Sequence, residues 1–258
     1  MKQPTAIVKP FLLTTFCISL IMWGGLMLLT RFAGLTYGSV PFMIPYILGG
    51  LSPTISAVYW IIKKKIMRWP QVIKIVFSFK QPFLLYILAI ILIALESLVP
   101  FLLGCMDIVG PLYMPILLLP TMLFGGGLEE VGWRWILQPA LEKKLPFAAA
   151  TLVTAAIWSV WHLPLFFIEN TGQYGMSFGL FAIMVVGMSF ALAVVYRLSN
   201  SVWLCVLMHS LSNSMGSWLQ HDQTLLSASV TALVVIAASC TVLYLAERKN
   251  AVKPRENL

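Results

Sequence analysis

Long runs of apolar residues alternate with short polar connections along the whole chain. The apolar runs lie at about residues 11–30, 40–62, 83–103, 112–142, 146–168, 177–196, 201–219 and 225–246. Most of these runs are close to the ~20 residues that a helix needs to cross ~30 Å of hydrocarbon. The pattern predicts an all-α protein, a polytopic membrane helix bundle with about eight transmembrane helices. The first run has no convincing small-residue cleavage site, so we interpret it as an uncleaved anchor.

The composition supports a membrane location. Only 10% of the residues are charged, 60% are hydrophobic, and the mean hydropathy is +0.91. Soluble globular domains contain about 25% charged residues. We found no soluble linker, low-complexity stretch or obvious repeat, so we expect residues 1–258 to form a single multi-pass domain of the cell membrane.

The basic residues are concentrated in alternate connections. The connection at 63–82 contains six lysine and arginine residues, whereas those at 104–110 and 169–176 contain none. The same predicted side includes Lys2 and Lys9 before the first run, and Arg248, Lys249, Lys253 and Arg255 after the last. The positive-inside rule then places both the N- and the C-terminus in the cytoplasm. The net charge of +8 is explained by topology, so we expect no nucleic-acid partner.

The fourth apolar run is too long for one simple span. As a single helix, residues 112–142 would measure ~46 Å at 1.5 Å per residue. Pro120 and the glycines at 125–127 interrupt the run. We therefore predict a kinked or broken helix, with Glu129 and Glu130 just after the break.

Four polar residues within the predicted spans fall at matching depths. Glu129 lies 16 residues before the cytoplasmic turn at 145–146, and His162 lies 16 residues after it. In an antiparallel hairpin, both residues would lie ~24 Å of helix above the turn. His209 lies about 12 residues, or ~18 Å of helix, beyond Arg197, which marks another predicted cytoplasmic helix end. Asn213 follows His209 at i+4 on the same face. Because ionisable groups are costly in a membrane, this coincidence predicts a shared active or ion site.

Other polar and aromatic residues have simpler structural interpretations. Glu130 and Arg134 stand at i and i+4 in the favoured order, which predicts a supporting ion pair. Trp133 and Trp158 are typical of packing or interfacial residues, and Trp158 is predicted to support the site. Glu96, near the outer end of its span, can reach interfacial water, and its role is left open.

Three motifs in this region resemble those of a known family. "EEVGWR" matches EExxxR, "WSVWHLPLF" is similar to FxxxH, and "HSLSN" matches HxxxN. These are the motifs of the CPBP family, which comprises CAAX-protease and bacteriocin-processing (Abi) membrane proteins. The resemblance covers about residues 110–220, which we take as a catalytic core. The chain departs from the family pattern at Trp158, where Phe is usual, and at Trp135, where many members have Gly.

The resemblance implies intramembrane proteolysis. Glu129 and His162 would activate a water molecule, and His209 with Asn213 would hold the oxyanion or the activating centre. The chemistry of these groups agrees, since desolvation makes a buried carboxylate a stronger base. Imidazole and amide N–H groups can stabilise an oxyanion.

The remaining motif residues and a metal ion are further expectations. Glu130 and Arg134 would orient the reacting groups. Glu129, His162, His209 and Asn213 are also a set that can ligate a divalent ion such as zinc, with a water at an open position. The chain has no HExxH motif and asparagine is an uncommon zinc ligand, so a metalloendopeptidase and a glutamate-dependent protease both stay open.

Three classes of function remain from the sequence. The favoured one is a CAAX-protease-like endopeptidase that cleaves a membrane-associated protein or peptide, prenylated or not. The second is a non-proteolytic bacteriocin-immunity or sensor-binding partner in which the polar cluster only holds the bundle together. The third is an ion or proton transporter, which would more often show repeat symmetry.

Overall fold

The computed structural model describes residues 7–221 and 224–252, and within them it is a bundle of helices. The helices are α1 (Val8–Ala33), α2 (Val40–Gly50), α3 (Ser52–Lys63), α4 (Trp69–Val76), α5 (Phe83–Leu102), α6 (Met114–Phe124), α7 (Glu130–Gly132), α8 (Gln138–Glu142), α9 (Phe147–Trp161), α10 (Phe178–Ser199), α11 (Val202–Trp218) and α12 (Leu225–Val252). A 3-10 turn at Gly127–Glu129 precedes α7, a π turn at Trp133–Leu137 joins α7 to α8, and a 3-10 turn at Leu163–Phe167 follows α9. The predicted all-α, polytopic bundle is confirmed.

Fewer helices are long enough to span a membrane than the sequence predicted. Five helices of the described residues are long and apolar enough to cross a membrane, or up to seven if each of two bent pairs is one span. Helix α11 has 17 residues, fewer than the ~20 that a full crossing needs. An eighth span therefore stays a prediction. Lys2, Lys253 and Arg255, which entered the topology prediction, lie outside the described residues.

The first bent pair, α2 and α3, was not predicted. The two helices meet at an angle of 56° around Gly50. Gly49 lies so close to the indole of Trp23 that a Cβ atom there would be 2.2 Å from Nε1. The same indole donates a hydrogen bond to the carbonyl of Tyr46 at 3.0 Å. The glycine end of α2 thus allows α1 to pack closely beside the bend, and Pro53, at the start of α3, has no N–H to continue the helical hydrogen bonds across it.

The second bent pair is the predicted break in the fourth apolar run. Helix α6 and the segment Gly127–Glu142 meet at 42°. Gly126 has φ +148, a conformation that side-chain-bearing residues rarely adopt. The prediction that the two glutamates follow a break is confirmed.

Beyond the break, the chain changes helix type within a few residues. The π turn at Trp133–Leu137 contains Arg134. Pro139, in the first turn of α8, has no N–H to contribute to the helical ladder. Single π turns inside helices are frequent at functional sites.

Two connections predicted on the outer side of the membrane pair with each other. Strand β1 (Met106–Ile108) is antiparallel to strand β2 (Leu219–His221). The indole of Trp218 donates a hydrogen bond to the carbonyl of Gly110 at 2.6 Å beside this pair. The pairing places both connections at the same end of the bundle, in agreement with their common lack of basic residues.

The centre of the bundle is formed by α9, α10 and α11. In α10, 56% of the most apolar 18-residue window is buried inside the protein, compared with 22% in both α1 and α5. Helices α1 and α5 therefore present most of their apolar surface outwards, as expected beside lipid. The polar residues predicted to form a site lie between the inner helices and the broken segment.

Candidate active site

Glu129 lies in the 3-10 turn directly after the break, and two indoles hold its carboxylate. Its Oε2 atom accepts a hydrogen bond from Trp158 Nε1 at 2.8 Å and another from Trp133 Nε1 at 3.4 Å. The side chain is 6% exposed. Trp158 and Trp133 therefore do more than fill space, because both bind an oxygen of the glutamate.

Glu130 is completely buried, and its carboxylate contacts Arg134 and His209. Its Oε2 atom lies 2.9 Å from Arg134 Nε, which confirms the predicted i, i+4 pair. Its Oε1 atom lies 2.9 Å from His209 Nδ1 on α11. The carboxylate thus connects the segment after the break to α11.

Arg134 extends this connection to two further helices. Its Nη1 atom donates to Ser189 Oγ on α10 at 3.1 Å and lies 3.5 Å from Gln138 Oε1. Its guanidinium carbon is 5.6 Å from the centre of the Trp158 ring, within the range of a cation–π interaction. Gln138 donates in turn to Thr151 Oγ1 on α9 at 3.0 Å. The arginine is fully buried, so these partners are needed to offset the loss of hydration.

His162 caps the C-terminal end of α9, where the chain tightens into the following 3-10 turn. Its Nδ1 atom lies 3.0 Å from the carbonyl oxygen of Trp158. A carbonyl can only accept, so this contact assigns the proton to Nδ1 and leaves Nε2 as an acceptor. The ring centre lies 4.6 Å from that of Trp161 and 5.0 Å from that of Phe181, which fixes its orientation.

His209 and Asn213, one turn apart on α11, lie against the backbone of the break. The Asn213 amide donates to the carbonyl of Gly125 at 3.0 Å. A Cβ atom on Gly126 would lie 2.2 Å from Asn213 Nδ2 and 3.0 Å from His209 Nε2. The absence of a side chain at residue 126 therefore lets both groups approach the chain where it bends.

A cavity of about 1050 Å³ brings these groups together. Glu129, His162, His209 and Asn213 all line it, and Trp158 lines it as well. This is the arrangement that the depth argument predicted for the four residues. Its wall also includes Glu96 and Ser212, the loop at 172–177, and parts of α10 and α12.

The donor set gives little support for a resident metal ion. Within residues 7–221 and 224–252, no three His, Cys, Asp or Glu side chains are grouped so that they could hold a metal. The Nδ1 atoms of His162 and His209 are already bound to a carbonyl and a carboxylate. These contacts leave Nε2 of each ring free, as is usual for a histidine that binds a metal, but two nitrogens alone do not complete a zinc site. We therefore assign no step to a metal, and the zinc site stays a prediction.

Sequence reasoning missed several contacts of this site. Ser189 is one of many serines in apolar helices, and nothing in the sequence pairs it with Arg134. Gln138 is four residues after Arg134, and side chains at this spacing are neighbours on a helix, so this contact was predictable. For Glu96 the only signal was a charge within an apolar run, and the structure places it on the cavity wall.

Comparison with known proteins supports the motif-based resemblance. Residues 111–215 match the family described as Rce1-like, type II CAAX prenyl endopeptidase. A 62-residue stretch is 34% identical to the "CAAX prenyl protease 2" of Methanococcus maripaludis. That stretch is 24% of this chain and 22% of the relative, so the match spans about a fifth of the relative's length. Residues 111–215 are therefore similar in sequence to the Rce1-like family, in the same region as the motifs that resemble those of the CPBP family.

Proposed function

We propose that the protein is an intramembrane endopeptidase that hydrolyses a peptide bond in a membrane-associated protein or peptide. One observation carries the proposal: Glu129, His162, His209 and Asn213 line one cavity inside an otherwise apolar bundle. They supply a base, two imidazoles and an amide. The Rce1-like match and the name of the relative make a CAAX-type substrate the first one to test.

In the first step, Glu129 takes a proton from a water molecule. Both indole donors bind Oε2, which leaves Oε1 of the same carboxylate to accept that proton. His162 holds the water through Nε2, since its Nδ1–H is bound to the Trp158 carbonyl. The water oxygen then attacks the scissile carbonyl carbon and the C=O electron pair moves to its oxygen.

In the second step, donors on α11 stabilise the resulting oxyanion. Asn213 Nδ2 carries a second N–H besides the one that binds the Gly125 carbonyl. His209 donates through Nε2 in its doubly protonated form, and the Glu130 carboxylate at Nδ1 compensates the charge. When the C–N bond breaks, Glu129 returns its proton to the leaving amine, so the enzyme ends in its starting state. Preorganised donors of this type contribute about 10²–10³ in rate each.

The proposal is tested with the purified protein in lipid nanodiscs. A fluorophore-labelled peptide that ends in an S-farnesylated CAAX sequence is incubated with it, and products are identified by mass spectrometry. We expect release of the residues that follow the modified cysteine, and slower release from the same peptide without the lipid. A folded protein that cleaves neither this peptide nor a panel of single-span membrane peptides would contradict the proposal and favour a non-proteolytic role.

A further inference from the structure

Glu96 has an environment that the proposed mechanism does not use. It is the only acidic or basic residue of α5. Its Oε2 atom accepts a hydrogen bond from Ser212 Oγ at 3.0 Å, while its Oε1 atom is buried and has no protein partner. Leaving a buried polar atom unpaired is unfavourable, and more so when the group is charged. Such a cost inside an apolar helix suggests that another molecule satisfies the carboxylate.

The position of Glu96 connects it to the reacting groups. Its partner Ser212 lies on α11, three residues after His209 and immediately before Asn213. Glu96, Ser212, His209 and Asn213 all line the cavity. A substrate held at the proposed catalytic residues would therefore share this cavity with Glu96.

Two other unpaired polar atoms belong to the same cavity wall. Gln173 Oε1, in the loop after α9, and Thr231 Oγ1, on α12, are buried without protein partners. Of the residues that the structure describes, no lysine or arginine lines the cavity. The wall thus offers several hydrogen-bond acceptors and the Glu96 carboxylate, whereas the charge of the protonated His209 is balanced by its own partner, Glu130.

We propose that Glu96, oriented by Ser212, forms a subsite for a cationic side chain, lysine or arginine, next to the bond that is cleaved. The inference rests on the proposed protease function and adds a substrate preference to it. A carboxylate and an ammonium or guanidinium group form a charge-assisted hydrogen bond, which is stronger than a neutral one. The same carboxylate repels an acidic side chain, so the subsite discriminates in both directions. Glu96 is a specificity residue here, and Glu129 remains the base.

The test uses two sets of S-farnesylated CAAX peptides, which differ only by lysine or norleucine at one position near the cleaved bond, other than the farnesylated cysteine itself. At one position, we expect wild-type protein to cleave the lysine peptide with a KM about tenfold lower, the order of one charge-assisted contact. Glu96→Gln should abolish the difference in KM between the lysine and norleucine peptides. Glu96→Lys should transfer the preference to a glutamate peptide. The matched control is Glu169→Gln, an exposed glutamate outside the cavity wall.

Equilibrium binding separates this inference from the protease proposal. Fluorescence anisotropy gives the Kd of each peptide for wild-type protein and for Glu96→Gln, whether or not the peptide is cleaved. Tighter binding of the lysine peptide without cleavage would support the subsite and contradict the protease proposal. No difference between lysine and norleucine at any position, or a difference that Glu96→Gln retains, would overturn the subsite. If Glu96→Gln does not fold, Ser212→Ala replaces it, and a lysine preference unchanged in Ser212→Ala overturns the proposal.

Discussion

Glu129 and Glu130 are adjacent in the sequence, but their carboxylates lie in different environments. Glu130 is fully buried and binds Arg134 and His209, one through each oxygen. Glu129 lines the cavity, and its two indole donors share a single oxygen. A turn of about 100° between neighbouring residues of a helix is sufficient to separate the two side chains in this way.

The difference divides the polar residues into two groups with different tasks. The holding group consists of Glu130, Arg134, Gln138, Ser189 and Thr151, which bind one another between helices. The cavity group consists of Glu129, His162, His209 and Asn213. His209 belongs to both, because Nδ1 contacts Glu130 and Nε2 lies near the break. We therefore expect changes in the holding group to affect stability, and changes in the cavity group to affect the reaction.

The largest effect is expected for His162→Ala. Loss of a positioned acid–base group typically lowers the rate by about 10²–10⁴-fold. The thermal unfolding midpoint should fall less than for variants of the holding group, since the side chain hydrogen-bonds to its own helix and otherwise only packs against rings such as Trp161 and Phe181. Both are measured on purified protein, and added imidazole should restore part of the activity. Activity near that of wild type would remove His162 from the cavity group.

Arg134→Ala should act mainly on stability. It leaves Glu130 as a buried charge with one partner fewer, and breaking a buried ion pair costs about 3–5 kcal/mol. We expect lower yield and easier unfolding in a detergent titration, with a parallel loss of activity. Arg134→Lys retains the positive charge but loses the planar guanidinium group. Its stability should therefore lie between those of the wild-type protein and the alanine variant. An alanine variant with full abundance but no activity would show that Arg134 takes part in the reaction instead.

Gly126→Ala should displace the side chains of Asn213 and His209 on α11 without removing either of them. The new Cβ atom would lie 2.2 Å from Asn213 Nδ2, and the φ of +148 is unfavourable for alanine. A misplacement of ~1 Å can lower the rate by about 10²-fold. The control is Gly24→Ala in α1, outside the cavity wall, where a Cβ atom meets nothing within 4 Å. Equal activity of the two variants would contradict the assigned role of Asn213 and His209.

Trp158→Phe should give the smallest effect. It removes the 2.8 Å hydrogen bond to Glu129 Oε2 and keeps an aromatic ring. Loss of a hydrogen bond to a charged group costs about 1.5–3 kcal/mol. Because Trp133 still donates to the same oxygen, we expect the lower end of this range, roughly a tenfold decrease in kcat. Trp135→Phe is the control, because that indole is buried but does not donate to Glu129. A kcat of Trp158→Phe equal to that of the control would show that the indole only packs.

The sequence predicted most of the cavity group and the break in the helix before it. Charged residues are rare in apolar runs, so Glu129, His162 and His209 were visible as exceptions, and counting residues from the turns gave their common depth. Pro120 and the glycines at 125–127 predicted the break, because glycine permits backbone conformations that other residues avoid.

Other features depend on how distant helices face each other. The hydrogen bonds from Trp133 and Trp158 depend on side-chain rotation within a packed core, for which the sequence has no signal. The same holds for Ser189 beside Arg134 and for Ser212 beside Glu96. The close approach of Gly49 to Trp23, which is 26 residues earlier in the chain, is of the same kind.

The most direct test compares Glu129→Gln and Glu130→Gln in parallel. The cleavage rate of one farnesylated peptide and the thermal unfolding midpoint are measured for both variants and for wild-type protein. We predict that Glu129→Gln loses at least about 10²-fold in rate, as expected for a general base, with an unchanged midpoint. Glu130→Gln should unfold at a clearly lower temperature. A Glu129→Gln variant that cleaves the peptide at the wild-type rate would contradict the account.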